Sequence, residues 1–147
     1  MNIKEYNDLA ERQKPQVPKY KNALNAFLYG GVIGIVGQGI LEFYMKIFDY
    51  SQKDAVPLMS ITLVLISCLL TGLGIYDRFA KYAGAGTFIP ITGFANSMAS
   101  SALDSKHEGL VLGIGTNMFK LGGTVLTYGI VSASLLGVIR YVFTLFG

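Results

Sequence analysis

Charge is what this sequence has least of. Of its 147 residues, 14% are charged, against about a quarter in an ordinary soluble domain. From Pro57 to Tyr76 there is no charge, and from Phe27 to Met45 only Glu42. A soluble chain this short has no core wide enough to surround such a run on every side. That argues against a soluble all-α domain. Cysteine occurs once, at Cys68 inside an apolar run. It excludes an intrachain disulfide and any metal-ligand spacing, and reads as a small core residue. Histidine also occurs once, at His107 among Asp104, Lys106 and Glu108, and reads as solvated. There is no nucleophile–base pattern, no G-x-S-x-G, no H-E-x-x-H and no Walker-type glycine loop. Gly84–Ile89, G-A-G-T-F-I, lacks the third glycine and the preceding strand of a dinucleotide fingerprint. No enzyme activity, cofactor or metal site is expected. The net charge of +3 comes from scattered basic residues without stacking aromatics, which argues against nucleic acid as a partner.

What is present is hydrophobic length. Hydrophobic residues make up 52% and mean hydropathy is +0.47. A helix of about 20 apolar residues crosses a bilayer core. The expected fold is all-α: a small polytopic membrane protein with about three full spans plus one Gly/Pro-broken membrane element. Residues 1–22 form a polar tail, with room for a short helix near Tyr6–Arg12. Residues 23–147 form one membrane domain, with spans at about 23–47, 57–76 and 121–141 and a broken or re-entrant element at 84–119. Lys4, Arg12, Lys14, Lys19 and Lys21 precede the first span, and Arg78 and Lys81 follow the second. Only Lys46 and Lys53 lie between. This asymmetry predicts a cytoplasmic N-terminus. The first 22 residues hold no apolar signal-peptide core.

The first span is dense in glycine. Gly30, Gly34 and Gly37 are candidate helix-packing positions, since glycine lets another backbone approach closely. Gln38 and Glu42, four apart, share a face. Glu42 either snorkels at the outer boundary or faces a pore or interface. Pro57 is expected to open the second span at its first helical position. After the third charged cluster, Gly109–Gly147 as one helix would measure roughly 58 Å. A break is therefore expected near Gly122 and Gly123, with Lys120 at an interface or facing protein.

Gly84–Gly109 is different in kind: too apolar for a surface loop and too interrupted for a plain span. Pro90 disfavours helix at Ile89, and Thr92 is placed to cap a helix from Gly93. Along that helix Gly93, Ser97, Ser100, Ser101 and Asp104 make one polar face. One reading is a re-entrant element or broken span lining a cavity. The other is an interfacial helix, though such helices usually carry Lys or Arg where this one carries Ser and Asn.

The same stretch carries a resemblance. G-A-G-T-F-I-P-I-T-G-F-A-N-S-M-A-S-S-A-L at 84–103, E-G-L-V-L-G at 108–113 and N-M-F-K-L-G-G at 117–123 resemble the stage V sporulation protein AC family, related to AE-type subunits. G-Q-G at 37–39 and G-L-G-I-Y-D-R at 72–78 match too, so the likeness runs from about Tyr20 onward. It implies a multi-pass protein of the spore inner membrane in a multi-subunit channel, with an AE-type membrane subunit and a soluble AD-type subunit as partners. The solute would be dipicolinic acid with calcium, moved in sporulation and germination, and the pore would be mechanosensitive. It assigns no individual solute-binding residue. Set beside that solute, a small dianion, the residues themselves nominate contacts. The helix start at Thr92, Gly93 and Asn96–Ser97 offers donors, Lys120 offers charge, and Asp104 or Glu108 suit calcium. Ser100, Ser101, Gln38 and Glu42 complete the pore-lining candidates. A non-conducting scaffold that docks a soluble channel subunit is the rival function.

Overall fold

The computed structural model describes residues 18–146, with Ile3 and Tyr6 alone before them. The expected helix near Tyr6–Arg12 otherwise lies outside the described residues. Within them the chain is helical almost throughout and contains no strand. Three helices are long and apolar enough to cross a membrane: Lys19–Ile47, Gln52–Gly72 and Leu110–Phe146. The protein is an all-α, multi-pass membrane protein.

Helix α1 is Lys19–Ile47 and helix α2 is Gln52–Gly72. They pack antiparallel, with Gly37 against Met59 and Leu63 and the Tyr44 hydroxyl 2.9 Å from that of Thr62. The connection is only Phe48–Ser51, reversed at Asp49 with φ 53°. The loop between the first two spans is therefore shorter than expected, and Pro57 does not open α2 but sits one turn and more inside it. The start moves earlier because Ser51 and Asp54 organise the first turn. The Ser51 hydroxyl donates to the Asp54 carboxylate at 2.6 Å, and an acidic residue there suits the helix dipole. The carbonyl that Pro57 leaves without its helical donor is that of Lys53, in the exposed end of α2 where water can reach it.

Helix α2 ends at Gly72, four residues short of the expected boundary. Gly74 has φ 67°, with Ile75 N–H bonded to the Leu70 carbonyl and Gly74 N–H to that of Thr71. This is a Schellman stop, which needs glycine at the left-handed position. Helix α3, Tyr76–Ala83, follows with Tyr76 and Ala83 buried and Asp77, Arg78 and Lys81 exposed. A second reversal at Gly84, φ 51°, leads to the short α4, Ala85–Phe88. Pro90 then takes the extended N-cap conformation, and α5 runs Ile91–Asp104.

The pairings set the depth of this element. Gly86 lies on Ala26 and Gly30 of α1. Thr92 meets Ser67 and Asn96 meets Thr71, so α5 runs in the same sense as α2. It starts opposite Ser67, five residues or about 7–8 Å short of the end of α2. The chain thus climbs back beside α2, turns at Pro90 and descends again. Residues 84–104 make a shallow re-entrant hairpin.

Beyond α5 come a 3-10 turn, Ser105–Glu108, and a π-helical segment, Leu110–Gly115, continuous with α6, Thr116–Phe146. No break occurs at Gly122–Gly123. Gly122 instead faces Met98 of α5 at 3.7 Å from where its Cβ would stand. The length problem is solved differently. Asn117 bonds Ser105 at 2.8 Å, so residues 110–120 double back along the end of α5. The stretch from Lys120 to Arg140 is about 30 Å long, one bilayer core.

Candidate functional site

The re-entrant hairpin is held by hydroxyls that α2 and α3 present to its backbone. The Ser67 hydroxyl, almost fully buried, donates to the Thr92 carbonyl at 2.6 Å. Tyr76 donates its phenol to the Thr87 carbonyl at 3.0 Å. These carbonyls stand on either side of the Pro90 turn, Thr87 in the short α4 and Thr92 in the first turn of α5. Thr71 Oγ1 lies 2.7 Å from both the Ser67 carbonyl and the Asn96 side-chain oxygen position. One hydroxyl proton cannot serve two acceptors. With the Asn96 amide turned so that its NH2 faces Thr71, both contacts become hydrogen bonds.

Close backbone contact completes the hold. A Cβ on Gly86 would strike the Ala26 carbonyl and Gly30 N, and one on Gly93 the carbonyls of Thr87 and Phe88. Only glycine fits either place. Thr92 is not the helix cap, because Pro90 occupies that position and Thr92 is the second helical residue. Its hydroxyl oxygen is buried and has no hydrogen-bond partner among the described residues.

The candidate residues fall into separate groups. Gly93, Asn96 and Ser97 line one cleft of about 410 Å³ with Tyr76 and Thr87. Beside the engaged hydroxyls of Tyr76 and Thr87, its polar groups include the amide of Asn96 and the hydroxyl of Ser97, which also bonds the Gly93 carbonyl at 3.0 Å. Gly30, Gly34, Gly37 and Gln38 line another, about 390 Å³, between α1, α2 and Pro90. Gly30 and Gly37 have close neighbours, whereas Gly34 faces open space. Ser100 and Ser101 are half-buried lower on α5, Asp104 is exposed at its end, and Lys120 is exposed on α6. Glu42 stays near the C-terminal end of α1, paired with Lys46 at 2.8 Å and reached by Gln38 at 3.4 Å. Among the described residues no group of three His, Cys, Asp or Glu side chains converges as a metal site.

The profile of the family described as SpoVAC/SpoVAEB sporulation membrane protein matches residues 22–139. The chain belongs to this family. It is also 52% identical to stage V sporulation protein AC of Bacillus subtilis (strain 168), over 97% of this chain and 95% of that relative. No solved structure matches it. The match spans α1 through most of α6, and so includes every residue of the re-entrant hairpin.

Sequence reasoning passed over Ser67, Thr71, Tyr76, Thr87, Gly86 and Asn117. The signal for the first two was available: hydroxyls four apart in an otherwise apolar span, on one helix face. Gly86 stood in plain view in G-A-G, but its neighbour on α1 is nearly sixty residues away.

Proposed function

We propose that this sporulation membrane protein is a subunit of a multi-subunit channel that passes dipicolinate, with calcium, across the spore inner membrane. Its N-terminus is cytoplasmic, and membrane tension gates the passage. The observation that carries this reading is the re-entrant hairpin. It places a helix start, the Asn96 amide and the Ser97 hydroxyl in a cleft beside spanning helices, where the start of a helix favours an anionic group. Family membership supplies the sporulation setting, and the resemblance supplies the solute. Helix α6 supports assembly with AE-type and AD-type subunits. It buries no residue within this chain, and Leu110, Val111 and Leu112 stand exposed beside the charged turn.

Asn96→Leu, Ser97→Leu and Lys120→Glu should each slow dipicolinate release from spores while the protein accumulates normally. Unchanged release in all three would remove the cleft from the path. The rival scaffold reading is favoured by the same bare α6, since three spans that do not close on one another enclose no path of their own. Conductance of the purified chain in liposomes under applied tension separates the two. Current from this chain alone supports the pore, and silence at lytic tension supports the scaffold.

A further inference from the structure

A separate, apolar cavity lies apart from the polar cleft. It holds about 440 Å³ between α1, α2, α3 and the hairpin, within the range of small-molecule sites. Its rim is Val32 and Val36 of α1, Ile66 of α2 and Phe79 of α3, all exposed. Its floor is Leu63, Ser67, Tyr76 and Thr92, all buried. A rim of exposed apolar side chains on two spanning helices opens toward the hydrocarbon of the bilayer.

Two further observations say what enters. Thr92 is 7% exposed, and its hydroxyl is a buried polar group without a partner. The other two hydroxyls of the floor are engaged, Ser67 to the Thr92 carbonyl and Tyr76 to that of Thr87. The cavity therefore offers an apolar body with the Thr92 hydroxyl as its buried unpaired donor, and Tyr29 of α1 adds a second, partly exposed hydroxyl to the wall. Arg78 and Lys81 of α3, just past the end of α2, form no salt bridge among the described residues. Thr92 lies opposite Ser67, about 7–8 Å deeper by helix rise.

We infer that this cavity is a binding site for one anionic phospholipid of the leaflet at the α3 end. Its phosphate meets Arg78 and Lys81, an ester carbonyl accepts from Thr92, and an acyl chain fills the space between Val36, Leu63 and Ile66. The order of basic charge, buried donor and apolar cavity along the membrane normal matches phosphate, ester and chain. The inference is independent of which solute the protein passes.

The test is photolabelling of the full-length protein in phosphatidylcholine nanodiscs. The probe is a trace of phosphatidylglycerol carrying a diazirine in its acyl chain, and adducts are mapped by mass spectrometry. Helix α6 is exposed along its length and serves as the internal measure of lipid that merely surrounds the protein. The expected result is labelling concentrated at Val36, Leu63 and Ile66, where the chain lies, and competed by unlabelled phosphatidylglycerol. Thr92→Val should weaken it roughly two- to tenfold, the worth of one hydrogen bond. Arg78→Gln should weaken it about fivefold, the worth of one basic residue at an anionic surface, and Ile66→Trp should abolish it. Labelling of α6 as strong as that of Val36, Leu63 and Ile66 in the unmodified protein would overturn the inference without recourse to any variant. So would Thr92→Val and Arg78→Gln variants that label as the unmodified protein does.

Discussion

At the scale of single residues, the glycines divide by what stands opposite them. Gly34 and Gly93 look equivalent in sequence, each a small residue in a membrane helix. Within this chain they are opposites. A methyl on Gly93 meets two backbone carbonyls, and one on Gly86 meets the backbone of α1. Backbone cannot rotate aside as a flexible side chain can. Gly86→Ala and Gly93→Ala should therefore each destabilise the protein by about 1–3 kcal/mol, the usual cost of overpacking. Gly34→Ala, with open space beside it, should fall within about 0.5 kcal/mol of the unmodified protein. Thermal unfolding in detergent measures all three, and equal losses at Gly34 and Gly93 would contradict the packing described. Sequence alone could mark these positions as small, but it could not rank them. The deciding partners, Ala26 for Gly86 and Thr87 for Gly93, are known only once the hairpin has been folded back.

At the scale of elements, the spans were legible and their ends were not. Length and lack of charge located α1, α2 and α6 because the bilayer imposes about 20 apolar residues on any crossing helix. Ends are set by local bonding that competes with those cues. Ser51 and Asp54 start α2 ahead of Pro57, and Gly74 stops it ahead of Tyr76. Gly122–Gly123 read as a break, but serves as a smooth surface for Met98. The irregularity falls earlier, at Gly109, φ 95°, and in the π segment after it. The hairpin was legible as broken and polar. Its anchorage was not, because Ser67 and Thr71 lie in an apolar run that looks lipid-facing. That anchorage is testable. Ser67→Ala removes the only side-chain donor found on the Thr92 carbonyl. Hydrogen bonds between membrane helices are worth about 0.6 kcal/mol on average and up to about 1.7. Ser67→Ala should cost an amount in that range in equilibrium unfolding, and hydrogen exchange should rise at residues 91–96 before it rises in α1. Unchanged exchange there would show that the hairpin does not depend on α2.

At the scale of the whole molecule, the number of crossings decides what the polar element is. If residues 84–104 crossed the bilayer, four spans would bring the chain's two ends to one side. The pairings Ser67–Thr92 and Thr71–Asn96 place the hairpin alongside only the last turns of α2. It enters and leaves by the same face. We propose three crossings on this basis, which would put Lys120 and Arg140 on opposite sides, and likewise the start of α1 and the end of α6. Composition could not reach this result, since a broken span and a re-entrant loop have the same residues and differ only in where Pro90 comes to rest. The prediction is made with single cysteines in a Cys68→Ala background, labelled in sealed vesicles by a membrane-impermeant maleimide. Lys21→Cys, Lys81→Cys, Lys106→Cys and Lys120→Cys should label from one side, and Lys53→Cys and Arg140→Cys from the other. Lys106 is the deciding position, because it follows the hairpin directly. Labelling of Lys106→Cys from the side of Lys53 would mean that α5 crosses. The cleft of Asn96 and Ser97 would then lie within a full span and not at the tip of a loop that dips into the membrane.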